Sequence, residues 1–256
     1  MPRLAAVKRF VSSTGVRVYR IAVANILLCG DHILPRTISQ QWPKSMASGS
    51  HKQPAVLLLG PTGSGKTPLG NELEARGLWG RRCVHFDFGE NLRQIVAAGR
   101  PDAHVARRDI EFLKDVLRSG ALLEDERFPL AERILRRFLV QREVDAAAFV
   151  VLNGLPRHVG QATALDAILD VQTVIYLHCS PETVLARVRS NVGGDRAGRA
   201  DDDLPSLQRK LATFCERTAP LLDHYRRQNA RIETIEVTAD MTAEQMRDIL
   251  ERRPEP

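Results

Sequence analysis

The stretch Gly60-Pro61-Thr62-Gly63-Ser64-Gly65-Lys66-Thr67 follows directly on the apolar run Ala55-Val56-Leu57-Leu58-Leu59 and leads into Leu69-Gly70-Asn71-Glu72-Leu73-Glu74-Ala75-Arg76-Gly77. A buried strand, a glycine-rich turn ending in Gly-Lys-Thr and a helix, in that order, form a phosphate-binding loop. Glycines allow the backbone to curl with positive φ, so that successive N–H groups point at an anion. The start of the following helix adds the positive end of its dipole. Lys66 has the reach for β- and γ-phosphates, and the Thr67 hydroxyl suits a Mg²⁺ shell. The octet therefore implies a nucleoside triphosphate as ligand, with Gly63, Ser64, Gly65, Lys66 and Thr67 around its phosphates.

Outward from this loop, short apolar runs alternate with helix-like segments, the rhythm of a parallel sheet wrapped by helices. Strands are expected at Ala55–Leu59, Cys83–Phe88, Ala147–Leu152, Thr173–His178 and Arg231–Val237. Helices are expected at Lys66–Arg76, Glu90–Ala98, Ala103–Ser119, Asp125–Glu143, Gln161–Leu169, Pro181–Ser190, Leu204–Gln228 and Ala243–Arg252, with Gly77, Gly99 and Gly120 as stops. The long interval between the second and third strands calls for a helical insertion. A second, shorter insertion, Asn191-Val192-Gly193-Gly194-Asp195-Arg196-Ala197-Gly198-Arg199, has the Gly/Arg composition of a loop that presents guanidinium groups to phosphates.

The net charge of +6 over 256 residues is unevenly placed. Residues 1–53 carry eight Lys/Arg and one acid, Asp31, whereas the remainder carries 29 basic and 30 acidic residues. A nucleic-acid surface on the folded part is therefore not expected. The basic segment reads as an organelle-targeting segment, a disordered tail or residues upstream of the true start. The leader Met46-Ala47-Ser48-Gly49-Ser50 favours a start at Met46, with residues 1–53 outside the mature fold. No apolar run is long enough for a membrane span. Cys29, Cys83, Cys179 and Cys215 are far apart, which suits reduced thiols in a cytoplasmic compartment, with Cys179 and Cys215 in the core. His85, His104, His158, His178 and His224 show no ligand spacing and read as structural or exposed.

From residue 54 onward there are three lysines against 26 arginines, and Arg93, Arg157 and Arg199 stand at informative places. Gly89-Glu90-Asn91-Leu92-Arg93 and Asn153-Gly154-Leu155-Pro156-Arg157, then Gln161, Pro181-Glu182-Thr183-Val184-Leu185-Ala186-Arg187, Gly198-Arg199-Ala200-Asp201-Asp202 and Thr218-Ala219-Pro220-Leu221-Leu222-Asp223-His224-Tyr225 follow in order. Over residues 54 to 245 this series resembles the adenylate kinase group of nucleoside monophosphate kinases. The resemblance implies a three-layer α/β phosphate-loop fold with a parallel five-stranded sheet. It also implies an inserted helical acceptor-nucleotide domain at about 89–120, a short zinc-free lid at about 188–200, and a C-terminal helix end and tail at 246–256.

The implied reaction moves the γ-phosphoryl group of ATP onto a nucleoside monophosphate, AMP first, in a monomer with Mg²⁺ as cofactor. Such transfer needs charge neutralisation more than covalent help. Lys66, Arg93, Arg157 and Arg199 take the catalytic roles, and Arg187 joins the ATP site. Phe88, Arg93, Leu122, Gly154, Arg157 and Gln161 form the acceptor site, where Gln161 reads adenine. Thr67 and Asn153 hold the metal through waters.

The chain departs from the family at several points. Pro68 follows Thr67, in a first helical turn where it is tolerated. Asn153 replaces an aspartate that organises the metal's water shell, a loss that Thr67 or Asp87 has to offset. On this reading Asn153→Asp should tighten the Mg²⁺ dependence. Phe88 replaces a small hydroxyl residue of the acceptor pocket, Asn191 a lid arginine for which Arg189 or Arg196 substitutes, and Lys210 another arginine. Phe88 leaves a pyrimidine acceptor such as CMP or UMP open, and Asn153 and Asn191 leave open a catalytically weak ATP-binding regulator.

Overall fold

The computed structural model describes residues 52–195 and 203–255. Its frame is one five-stranded, wholly parallel sheet in the order β2-β3-β1-β4-β5. The strands are β1 (Gln53–Leu59), β2 (Cys83–Asp87), β3 (Phe149–Asn153), β4 (Leu169–His178) and β5 (Arg231–Glu236). Between and after them run α1 (Lys66–Arg76), α2 (Phe88–Ala98), α3 (Arg107–Ser119), α4 (Phe128–Gln141), α5 (Val159–Leu165), α6 (Pro181–Ser190), α7 (Leu204–Thr213), α8 (Leu221–Arg227) and α9 (Ala243–Glu251). The α/β phosphate-loop fold read from the sequence is the fold observed. Among the described residues, no helix is long and apolar enough to cross a membrane.

Helices cover the sheet on both sides, which explains the nearly continuous apolar strands. Val56, Leu58, Val151 and Ile175 pack with Leu69 and Leu73 of α1 and Met246 and Leu250 of α9. On the opposite side Phe86 meets Phe138 of α4 edge-on, with ring centroids 5.0 Å apart. α1 lies unusually close to β2, because a Cβ on Gly70 would stand 2.2 Å from the His85 ring.

The element ends differ from the expected ones for identifiable reasons. β2 stops at Asp87 because that residue caps α2, its Oδ1 accepting from the Glu90 amide at 2.9 Å, so Phe88 is helical. α3 begins at Arg107 rather than Ala103, since Asp102 Oδ1 takes the amides of His104 and Val105 at 2.8 and 2.9 Å in a turn. The segment from Asp125 starts as a single 3₁₀ turn, and Pro129 then opens α4. Leu169 belongs to β4 and not to the preceding helix; the extra residue Gln172 bulges where the pairing passes from Ala55↔Val171 to Val56↔Thr173.

The long helix expected over Leu204–Gln228 is interrupted by a π-helical turn, Phe214–Thr218. Pro220 has no N–H and its ring crowds the carbonyl one turn back, and the widened turn accommodates it, with Ala219 N bonding Phe214 O at 2.8 Å. Cys83 is buried and Cys179 half-buried, but Cys215 is exposed, so it is not the core thiol expected of it. Met46, Arg196 and Arg199, with the lid return Gly198–Asp202, lie outside the described residues.

Candidate active site

The carboxyl ends of β1, β2 and β3 converge where the strand order reverses beside β1, the place where open α/β sheets bind ligands. A cleft of about 930 Å³ opens there. Its floor is the loop after β1. Gly63 and Gly65 have φ of +79° and +97°, in the left-handed region that glycine enters without strain. Neither position has room for a side chain: a Cβ on Gly63 would meet Val188 at 2.9 Å, and one on Gly65 would meet the Arg187 guanidinium at 3.0 Å. Lys66 arches over the loop and donates from Nζ to the carbonyls of Gly60 and Pro61 at 2.8 and 2.7 Å.

Behind Lys66 three side chains form a closed polar triangle. Thr67 Oγ1 donates to Asp87 Oδ2 at 2.8 Å, and Asn153 Nδ2 donates to both Asp87 Oδ2 at 2.8 Å and Thr67 Oγ1 at 2.9 Å. Asp87 and Asn153 face each other in the β2–β3 register. The cleft continues between α2, the segment around Leu122 and the Gly154–Arg157 turn, where Gly154 has φ +81° and the Leu155–Pro156 peptide is cis.

Most of the residues singled out in the sequence meet in this one cleft: Gly63, Gly65, Lys66, Thr67, Phe88, Arg93, Leu122, Asn153, Gly154, Arg157 and Gln161 all line it. Arg93 holds Glu90 Oε2 at 2.9 Å in an exposed pair. The Arg157 guanidinium has no hydrogen-bond or ion-pair partner among the described residues, and burial alone depresses its pKa. Phe88 is buried and stacks at a tilt on Phe86, with centroids 6.0 Å apart. Gln161 uses both ends of its carboxamide internally. Its Oε1 accepts from the Arg157 amide at 2.8 Å and its Nε2 donates to the Leu123 carbonyl at 2.7 Å.

Two expected site residues lie elsewhere. The Ser64 side chain is wholly buried within the loop, its hydroxyl unpartnered. Arg187, expected on the donor nucleotide, is 3% exposed and does not line the cleft. Its guanidinium donates to the carbonyls of Gly63 (3.1 Å), Thr238 (2.7 Å) and Met241 (2.9 Å), and burial lowers its pKa. It ties the phosphate loop to the segment after β5. Asp87, which the sequence offers only as a stand-in for the missing aspartate, accepts from both other members of the polar triangle. The Asp-x-x-Glu spacing of Asp87 and Glu90 at a strand's end was the available signal. Lys210 and Thr218 also line the cleft, and Thr218 Oγ1 donates to the Arg157 carbonyl at 2.8 Å from the π-helical turn. Both stand at positions that the family resemblance singles out, Lys210 in an arginine's place and Thr218 at the head of the Thr-x-Pro series.

Comparison with known proteins agrees with this geometry. A family model described as an AAA domain (AAA_17) matches residues 59–208. The adenylate kinase of Xanthomonas campestris pv. campestris (strain B100) is 32% identical over 177 residues, which is 66% of this chain and 84% of that protein. That of Parvibaculum lavamentivorans is 32% identical over 180 residues, 67% of this chain and 78% of that protein. That of Stenotrophomonas maltophilia (strain K279a) is 30% identical over 177 residues, with 84% of its length covered. The chain belongs to the adenylate kinase family. It is a nucleoside monophosphate kinase, and the kinase carries its cleft at the carboxyl ends of its strands.

Proposed function

We propose that this kinase transfers the γ-phosphoryl group of ATP to AMP, giving two ADP. The observation that carries the reading is Arg157. It is a half-buried guanidinium in the same cleft as the phosphate loop, facing no protein anion among the described residues. A cation held out of water without a partner is costly unless an anion fills the place. A monophosphate suits it, because its oxygens take two parallel guanidinium bonds. Arg93, on the first turns of α2, lines the same cleft and would exchange Glu90 for the phosphate.

The loop amides and Lys66 would neutralise the charge that develops on the moving phosphoryl group, the main requirement of this chemistry. The acceptor phosphate ionises near pH 6, so it is already a nucleophile at neutral pH and no general base is needed. In this reading residues 89–120 form the acceptor domain, and Arg199 closes on the phosphates with the lid at about 188–200. Because Gln161 is bonded to backbone at both ends, its support for the acceptor site is to hold Arg157 and Leu123 in register.

Mg²⁺ fits the site in one specific respect. With its proton on Asp87 and one lone pair facing Asn153, the Thr67 oxygen keeps a second lone pair for a cation. Thr67, with the neighbouring Asp87 and Asn153, would hold the metal, which when bound neutralises the β- and γ-phosphate oxygens.

A second reading has its own observation. Phe88 fills part of the acceptor pocket where the family has a small hydroxyl residue, which favours a smaller base such as that of CMP or UMP. A coupled assay with Mg·ATP and AMP, CMP, UMP and GMP separates the two. Fastest turnover with AMP is expected, turnover confined to a pyrimidine monophosphate selects the second reading, and ATP binding without turnover on any acceptor overturns both.

A further inference from the structure

We infer that the carboxylate organising the metal in this kinase stands at the end of β2 instead of β3: Asp87 supplies the charge, and Asn153 positions it. The inference rests on the phosphoryl-transfer reading and deepens it. The two residues are direct partners in the parallel register, so exchanging their side-chain types moves the charge by only one strand spacing, about 4.8 Å.

The hydrogen bonds leave little freedom in this assignment. An ionised carboxylate only accepts, so Asn153 must turn its Nδ2 toward Asp87, as it does at 2.8 Å. The same nitrogen donates to Thr67, so the amide offers the threonine proton no acceptor there. That proton goes to Asp87 Oδ2, which directs the remaining lone pair of Thr67 into the cleft. Three of the roughly four acceptor positions on the Asp87 carboxylate are used, by the Glu90 amide, Thr67 and Asn153, and one remains for a metal-bound water. Capping of α2 does not explain the charge, because an asparagine caps equally well. Asn153 and Asp87 also depend on each other. An aspartate at both places would set two carboxylates in contact in a half-buried pocket, and like charges there cannot both stay ionised cheaply.

Mn²⁺ is the probe, its free concentration read by electron paramagnetic resonance in the presence of the full chain and β,γ-imido-ATP. ATP binding in EDTA and the thermal midpoint are measured alongside. Asp87→Asn is expected to weaken Mn²⁺ binding by about tenfold or more, the size usual for outer-sphere ligands, with nucleotide binding in EDTA and the midpoint held. The exchange Asp87→Asn/Asn153→Asp is expected to recover most of the loss. Asn153→Asp alone, contrary to the expectation from the family pattern, should not tighten Mn²⁺ binding. An Asp87→Asn protein within about twofold of the parent, one that loses its thermal transition, or a double exchange no better than the single variant would overturn the inference. A parent protein that binds no nucleotide in EDTA would remove the phosphate-loop reading as well. Intact nucleotide and Mn²⁺ binding with an indifferent Asp87→Asn would remove this inference alone.

Discussion

Arg187 donates its Nε–H to the carbonyl of Gly63 at 3.1 Å, which makes a buried arginine on α6 a strut under the phosphate loop. The same guanidinium reaches Thr238 and Met241 beyond β5, so one side chain joins the loop to the far end of the sheet. Charged hydrogen bonds of this kind are short on alternatives once buried, because the abandoned carbonyls cannot reach water. Arg187→Ala is therefore expected to lower the unfolding free energy by about 2–4 kcal/mol and to weaken ATP binding through the loosened loop. Urea denaturation and calorimetry with ATP measure the two effects. Loss of ATP binding with full stability would put Arg187 on the nucleotide instead of beneath the loop.

Lys66 donates to the backbone carbonyls of Gly60 and Pro61, two contacts within its own loop. Both contacts are local, so removing the side chain should leave the fold intact. Lys66→Ala is expected to reduce turnover by about 10²–10³-fold, the usual effect of deleting one donor to developing charge, with a cooperative thermal transition retained. The coupled kinase assay and a thermal melt decide it. Near-normal turnover would take Lys66 out of the catalytic set.

Arg157 should show the opposite signs for stability and activity. Its guanidinium is desolvated with no counter-charge among the described residues, so the empty fold bears a cost that bound phosphate relieves. Arg157→Met is expected to leave stability unchanged or raise it by about 1 kcal/mol, while raising KM for the monophosphate by about tenfold or more. Denaturation and acceptor titration test the pair of outcomes. A large loss of stability would make Arg157 a structural residue.

His85 introduces a pH dependence that belongs to the fold and not to the chemistry. It is buried against Gly70, its Nδ1 stands 2.9 Å from Asn71 Oδ1, and Nε2 has no partner. Burial holds its pKa below the ordinary value of 6.5. The folded state thus keeps the ring neutral while the unfolded chain takes up a proton below that value, so stability is full above it and is lost as pH falls. Unfolding free energy should drop between about pH 7 and about pH 5, and the drop should be smaller in His85→Gln. Equal drops in the two proteins would exclude His85 as the source.

The chain order of elements was readable because it rests on local signals. Ala55–Leu59 is an unbroken apolar run, Gly60–Thr67 has the glycines its turn requires, and Gly77, Gly99 and Gly120 stop helices as expected of glycines. The arginines of the cleft were found by the company they keep in sequence. Element ends were less accessible, since Asp102 and Pro220 act through particular bonds or clashes two to four positions away that composition does not single out.

Tertiary structure alone settled which polar groups are used up and which stay available. No spacing tells that Gln161 gives both ends of its amide to Arg157 and Leu123, that Arg187 turns beneath the loop, or that Asp87 and Asn153 meet across neighbouring strands. Chain pattern encodes what each residue can offer: a curl, a charge, a donor. Whether the offer is spent on backbone or kept for a ligand depends on distances between segments far apart in the chain, and those exist only once the sheet has brought β1, β2 and β3 side by side.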